Sequence, residues 1–182
     1  MKRVIWAILL AATGLLLASC TTPPVTIGLT DVEIDLQVAA DSAGKIIFPK
    51  EPLKLKNPIP GTQVASVSVQ GRAKLDSPAT LSFDVYAASQ DPGELGCTRV
   101  DLVLSAYYVC DPGTAGVEKV SQSTIEFNND DGPVSFRLSG GVLADGINNG
   151  TLYLGAQISG GTAGNKLTLY DLTATVQLSV GR

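Results

Sequence analysis

Residues 65–75 read Ala65-Ser66-Val67-Ser68-Val69-Gln70-Gly71-Arg72-Ala73-Lys74-Leu75. Small or apolar residues hold the odd positions, and polar or charged residues hold the even ones. Successive side chains of an extended chain point to opposite faces, so this period predicts a strand with one buried and one wet face. The phase survives Gly71. A glycine inside a regular strand marks a bend or a close backbone approach.

The same period recurs on both sides. Val32, Ile34, Leu36 and Val38 alternate with Glu33, Asp35 and Gln37. Leu81, Phe83, Val85 and Ala87 form an inward row after Ser77-Pro78, and residues 123–127 predict a further strand. Val134, Phe136 and Leu138 alternate again, as do Leu152, Leu154, Ala156 and Ile158. In residues 166–180 the phase changes: Leu167 and Leu169 are odd, whereas Leu172, Ala174, Val176, Leu178 and Val180 are even. A bulge at Tyr170-Asp171 would return both rows to one core.

Turn chemistry separates these runs. Asp91-Pro92-Gly93 and Asp111-Pro112-Gly113 pair a proline that presets φ with a glycine suited to positive φ. Residues 39–44 and 128–133 are further turns. Lys45, Lys50, Lys54 and Lys56 interleave with Pro49, Pro52, Pro58 and Pro60, the composition of a protected edge segment. Residues 140–150 place Val142, Leu143 and Ile147 at helical spacing, enough for one helical turn. Val100, Leu102 and Leu104 fit a strand, while Val100, Val103, Leu104, Tyr107 and Tyr108 fit a helical stripe; the surrounding strands favour the first. The pattern as a whole predicts one all-β domain over residues 31–182. It is a single antiparallel β-sandwich, jelly-roll or immunoglobulin-like, of about eight to ten strands. No helical pattern alternates with the strands, which excludes a parallel α/β fold.

The N-terminus carries a different signal. Lys2 and Arg3 precede an apolar run from Val4 to Leu17, broken only by Thr13 and Gly14, and then Leu17-Ala18-Ser19-Cys20. A basic start, a short apolar region and small residues before a cut site make a secretory signal. The run is too short for a membrane span, which needs about 20 residues. Leu17-Ala18-Ser19-Cys20 resembles the lipobox of bacterial lipoproteins. The resemblance implies cleavage of residues 1–19, lipidation of Cys20, and a lipidated N-terminus and tether over residues 20–30. Two or more acyl chains hold a protein stably in a membrane. In that family an Asp after the cysteine favours the inner membrane; Thr21 stands here, implying the outer membrane of a diderm cell envelope.

Cleavage would remove two cations and change the net charge from −4 to −6. An acidic chain does not suit nucleic acid or anionic lipid headgroups. Trp6 would leave with the signal, and the sequence contains no histidine. Of three cysteines, the resemblance assigns Cys20 to lipid. Cys97 and Cys110 remain, in a compartment that permits disulfides. A continuous strand would hold them roughly 40 Å apart and a helix about 20 Å, whereas a disulfide needs Cα atoms within about 7 Å. Either the intervening segment folds back on itself or no bond forms; the bond is expected, and without Gly or Pro a wide bend near Ser105-Ala106 is expected rather than a tight hairpin.

Absence of histidine excludes His-dependent triads and His-ligated metals. No nucleophile elbow and no phosphate-cradling loop appear. Asn128, Asp130 and Asp131 offer hard oxygen ligands for calcium, although Asx residues also serve turns for local reasons. Residues 152–158 and 167–178 are loosely similar to the closing strands of carbohydrate-binding jelly rolls. That similarity implies a glycan site served by tyrosines: Tyr107 and Tyr108, or Tyr86 and Tyr153. The reading from sequence is a non-catalytic, lipid-anchored envelope protein making protein contacts at the membrane surface, without a cofactor. The alternative is a module for an envelope glycan or small ligand. A hydrolase with a carboxylate pair is the least favoured reading: spacing alone does not exclude one, but Glu33, Glu51, Glu94, Glu118 and Glu126 sit mostly on outward strand positions or in loops.

Overall fold

A computed structural model describes residues 23–35, 44–54, 63–102, 105–130, 132–161 and 166–179. The period-two runs form two antiparallel sheets packed face to face. The first sheet contains β1 (Val25–Gly28), β2 (Val32–Asp35), β4 (Val64–Leu75), β10 (Val134–Ser139) and β12 (Lys166–Leu178). The second contains β3 (Ile46–Pro49), β5 (Ala79–Ala88), β6 (Thr98–Asp101), β7 (Ala106–Cys110), β8 (Val117–Lys119), β9 (Ile125–Asp130) and β11 (Tyr153–Gly161). β1 and β2 follow each other along one edge of β12, and β8 and β9 along one edge of β5. The described strands thus occupy ten ladder positions.

The chain passes between sheets at β2–β3, β3–β4, β4–β5, β9–β10, β10–β11 and β11–β12. The resulting neighbours, β3–β11–β5 and β12–β4–β10, are far apart in sequence. This is the jelly-roll manner of crossing rather than a meander. The core lies between the sheets: Ile34, Val69, Leu138, Leu167 and Leu169 face Ile47, Leu81, Phe83, Val85 and Leu154. Phe83 and Phe127 stack with centroids 6.3 Å apart.

The phase change in the last strand is a bulge. Register shifts between Tyr170 and Thr173, Asp171 takes φ 52°, and Leu172 turns into the core beside Leu169 and Ala174. Gly71 lies opposite. A Cβ there would stand 2.6 Å from Leu172 Cδ2 and 3.1 Å from Phe136 Cζ, so this glycine marks a close approach. A second irregularity corrects the opening stretch: pairing shifts between Gln177 and Leu178, so Val64 is buried and Ala65 exposed.

Residues 140–150 form more than one turn. Helix α1 (Gly141–Asn149) buries Val142, Leu143, Ala144 and Ile147 against the core. Gly150, at φ 70°, ends it by donating its N–H to the last carbonyls. Asn148 clamps the start of β4, accepting the Val64 N–H at 2.7 Å and donating to the Val64 carbonyl at 3.1 Å.

Three expectations need correction. Residues 46–49 are not an edge: β3 lies between β7 and β11, with Ile46, Ile47 and Phe48 all fully buried. Both faces of β3 are covered, so no polar row remains to reveal a strand. Lys45 and Lys50 merely flank it, while positions 55–62, including Lys56, Pro58 and Pro60, lie outside the described residues. The domain begins at Val25 rather than Asp31, because β1 occupies part of the expected tether. The 97–110 segment is also tighter than expected. Asp101 pairs Ala106 and the Leu102 N–H donates to the Ser105 carbonyl, leaving two positions to connect β6 and β7.

Candidate functional site

The β6–β7 hairpin carries the Cys97–Cys110 disulfide, with Cα atoms 4.5 Å apart. Residues 89–97 fold over the outer face of the second sheet above a small second core of Ile46, Phe48, Ala88, Tyr108, Cys110 and Tyr153. Asp91 fastens this flap. Its Oδ1 accepts the Gly93 N–H at 2.7 Å, and its Oδ2 accepts the hydroxyls of Tyr108 at 3.3 Å and Tyr153 at 3.5 Å. Burial, then the Asp91 charge, pushes the Tyr153 phenol up to about 12. Tyr108 is raised by burial and by its hydrogen bond to Asp91. In this turn Gly93 stays outside the left-handed region and Gly96 takes φ 89°; in the second Asp-Pro-Gly turn Gly113 takes φ 86° as expected.

The expected tyrosine platform does not form. Tyr107 points into the main core and Tyr108 into the second core, because neighbours on a strand face opposite ways. Both are buried, as is Tyr153. Tyr86 donates its hydroxyl to Gln157 Oε1 at 2.8 Å, on a half-buried part of the same face.

The expected calcium turn is largely strand. Asn128 pairs Thr80 and Asp130 pairs Ala79 within β9, while Asn129 sits at the bulge with φ 55°. Cys20 and Asp131 lie outside the described residues. Among those described, no group of three or more Cys, Asp or Glu side chains is placed to hold a metal. For the carboxylate-pair reading, Glu33, Glu51 and Asp101 line one cleft of about 530 Å³. Within it, Glu33 is bridged by Lys166 at 2.8 Å and Asp101 by Arg99 at 2.7 Å. Asp84, 9% exposed, is held by Lys119 at 2.8 Å.

A polar depression lies on the outer face of the first sheet, on residues that received no functional role from the sequence. A groove of about 660 Å³ crosses β4, β10 and β12 and is bordered by the β8–β9 connection, which pairs with β10 at Ser121–Leu138. Gln70 and Arg72 enter from β4, Ser135 and Arg137 from β10, Asp171 and Thr173 from β12, and Gln122 and Ser123 from the β8–β9 connection. Arg72 pairs Ser135 and Arg137 pairs Gln70, so the two arginines hold diagonal positions on one face. Alternation already put Arg72 on the outward row. Its meeting with Arg137, 65 positions away, depends on the β4–β10 register, which no local pattern reveals.

No family model, curated protein or solved structure matches this chain.

Proposed function

We propose that the chain is a lipid-anchored, non-catalytic protein of a bacterial cell envelope, outer membrane by its Thr21, making contacts close to the membrane surface. The observation that carries this reading is Leu17-Ala18-Ser19-Cys20 standing only five positions before β1. Five extended residues reach at most about 18 Å. An acylated Cys20 would therefore hold the sandwich against the bilayer, within reach of membrane-proximal partners. Arg72, Arg137 and the neutral donors around them favour a second role, binding an envelope glycan or small ligand, over docking through an apolar surface. Among the described residues Leu102 is the one large hydrophobic side chain left exposed.

Metabolic labelling with an alkyne palmitate tests the anchor. The expected outcome is label on the native protein and none on Cys20→Ser. A native protein that carries no label overturns the reading.

A further inference from the structure

We propose that the groove across β4, β10 and β12 binds an anionic glycan, with Arg72 and Arg137 gripping the carboxylate of a uronate-type sugar. This rests on the glycan-binding part of the preceding reading and gives it a site and a ligand class.

Charge is the first support. The four ion pairs of the described residues engage Lys45, Arg99, Lys119 and Lys166. Arg72, Lys74 and Arg137 share one exposed face and take part in none of them, in a chain whose net charge is −4. Like charges placed diagonally on adjacent strands repel. Two arginines at diagonal positions, neither of them in those ion pairs, are therefore suited to an external anion, and the planar guanidinium fork matches a carboxylate.

The second support is the remaining lining. Gln70, Gln122, Ser123, Ser135 and Thr173 surround the arginines with neutral donors and acceptors, the complement of ring hydroxyls. Asp171, at the bulge, adds an acceptor for a hydroxyl. Beside it Lys74 Nζ lies 5.3 Å from the Tyr170 ring centroid, a half-exposed aromatic at the groove margin. Phosphate sites, by contrast, commonly use free backbone N–H groups at helix starts or nests. Here β4 is laddered on both sides, to β10 and β12, and side chains make the walls. The lining favours a carboxylated sugar over a bare phosphate.

The test uses the full lipidated protein in detergent, titrated calorimetrically with tetragalacturonate, neutral cellotetraose and inorganic phosphate. Saturable binding of tetragalacturonate that weakens with added NaCl is expected, with cellotetraose and phosphate binding at least tenfold more weakly. Each of Arg72→Gln and Arg137→Gln should weaken binding on the order of tenfold, the scale of a charge-assisted hydrogen bond. Lys50→Gln with Lys54→Gln, which removes two exposed cations elsewhere, should leave it unchanged. The proposal is overturned if tetragalacturonate does not bind, if the arginine variants bind like the native protein, or if the lysine variant loses as much as they do. Equal binding of phosphate or cellotetraose overturns it as well. A protein lacking palmitate would still give these titrations, so failure of the anchor and failure of the groove are distinguishable.

Discussion

Gly71→Ala tests the packing of the β12 bulge against β4. The new Cβ would lie 2.6 Å from Leu172 Cδ2, 3.1 Å from Phe136 Cζ and 3.2 Å from the Tyr170 carbonyl oxygen. Leu172 is 2% exposed and cannot swing into solvent. Overpacking of this kind costs about 1–3 kcal/mol. Alanine's narrower unfolded ensemble offsets about 0.4–1 kcal/mol, so a net loss of about 1–2 kcal/mol is expected. Leu172→Ala alone should cost about 2–5 kcal/mol through its cavity. In the double variant the added methyl occupies space that Leu172 vacates. The pair should therefore be about 1–2 kcal/mol more stable than the sum of the single effects predicts. Urea unfolding followed by far-ultraviolet circular dichroism measures this as midpoint shifts at constant m. Single effects that add to within about 0.5 kcal/mol would refute the reasoning, because contacting residues must couple.

Cys97→Ser with Cys110→Ser opens a loop of sequence separation 13 and should cost about 3 kcal/mol, read as a lower thermal midpoint. Tyrosine ionisation followed at 295 nm should show Tyr153 titrating near pH 12, above the ordinary value of 10. A phenol whose folded pKa is raised contributes stability fully present below about pH 10, lost as pH rises through 12. Asp91→Asn should lower the Tyr153 pKa without restoring it to 10, since burial is the larger cause. A return all the way to 10 would contradict that ranking.

Legibility followed exposure. Residues 67–75 and 134–138 declare themselves because one face is wet and one is dry, and the phase slip at Tyr170-Asp171 located a real bulge. Gly71 was readable as a close approach, although its neighbour Leu172 was not. β3 was misread because burial on both faces erases alternation, leaving its flanking lysines and prolines as the visible pattern. Tyr107 and Tyr108 looked like a pair in sequence yet serve two different cores. The pairing of Asp101 with Ala106 shows that strand register can bring β6 and β7 together without the glycine that usually announces a hairpin. Arg72 and Arg137 were each visible as outward residues, but their meeting is a property of strand order.

The first strand of the domain finds its partner in the last: Val25 lies opposite Val176. A ribosome delivers Val25 long before Val176, so the first sheet stays open until β12 has been made. β4 waits for β12 as well. Such long-range closure is slow compared with local pairing. Until it happens, the hydrophobic faces of β1, β2 and β4 stand unprotected, and they need a chaperone's shelter more than the β6–β7 hairpin does. A nonsense mutation anywhere before Lys166 would strip β1, β2 and β4 of their shared neighbour. β12 is thus the clasp of the domain, and loss of the chain from Thr173 onward should be felt first at β1.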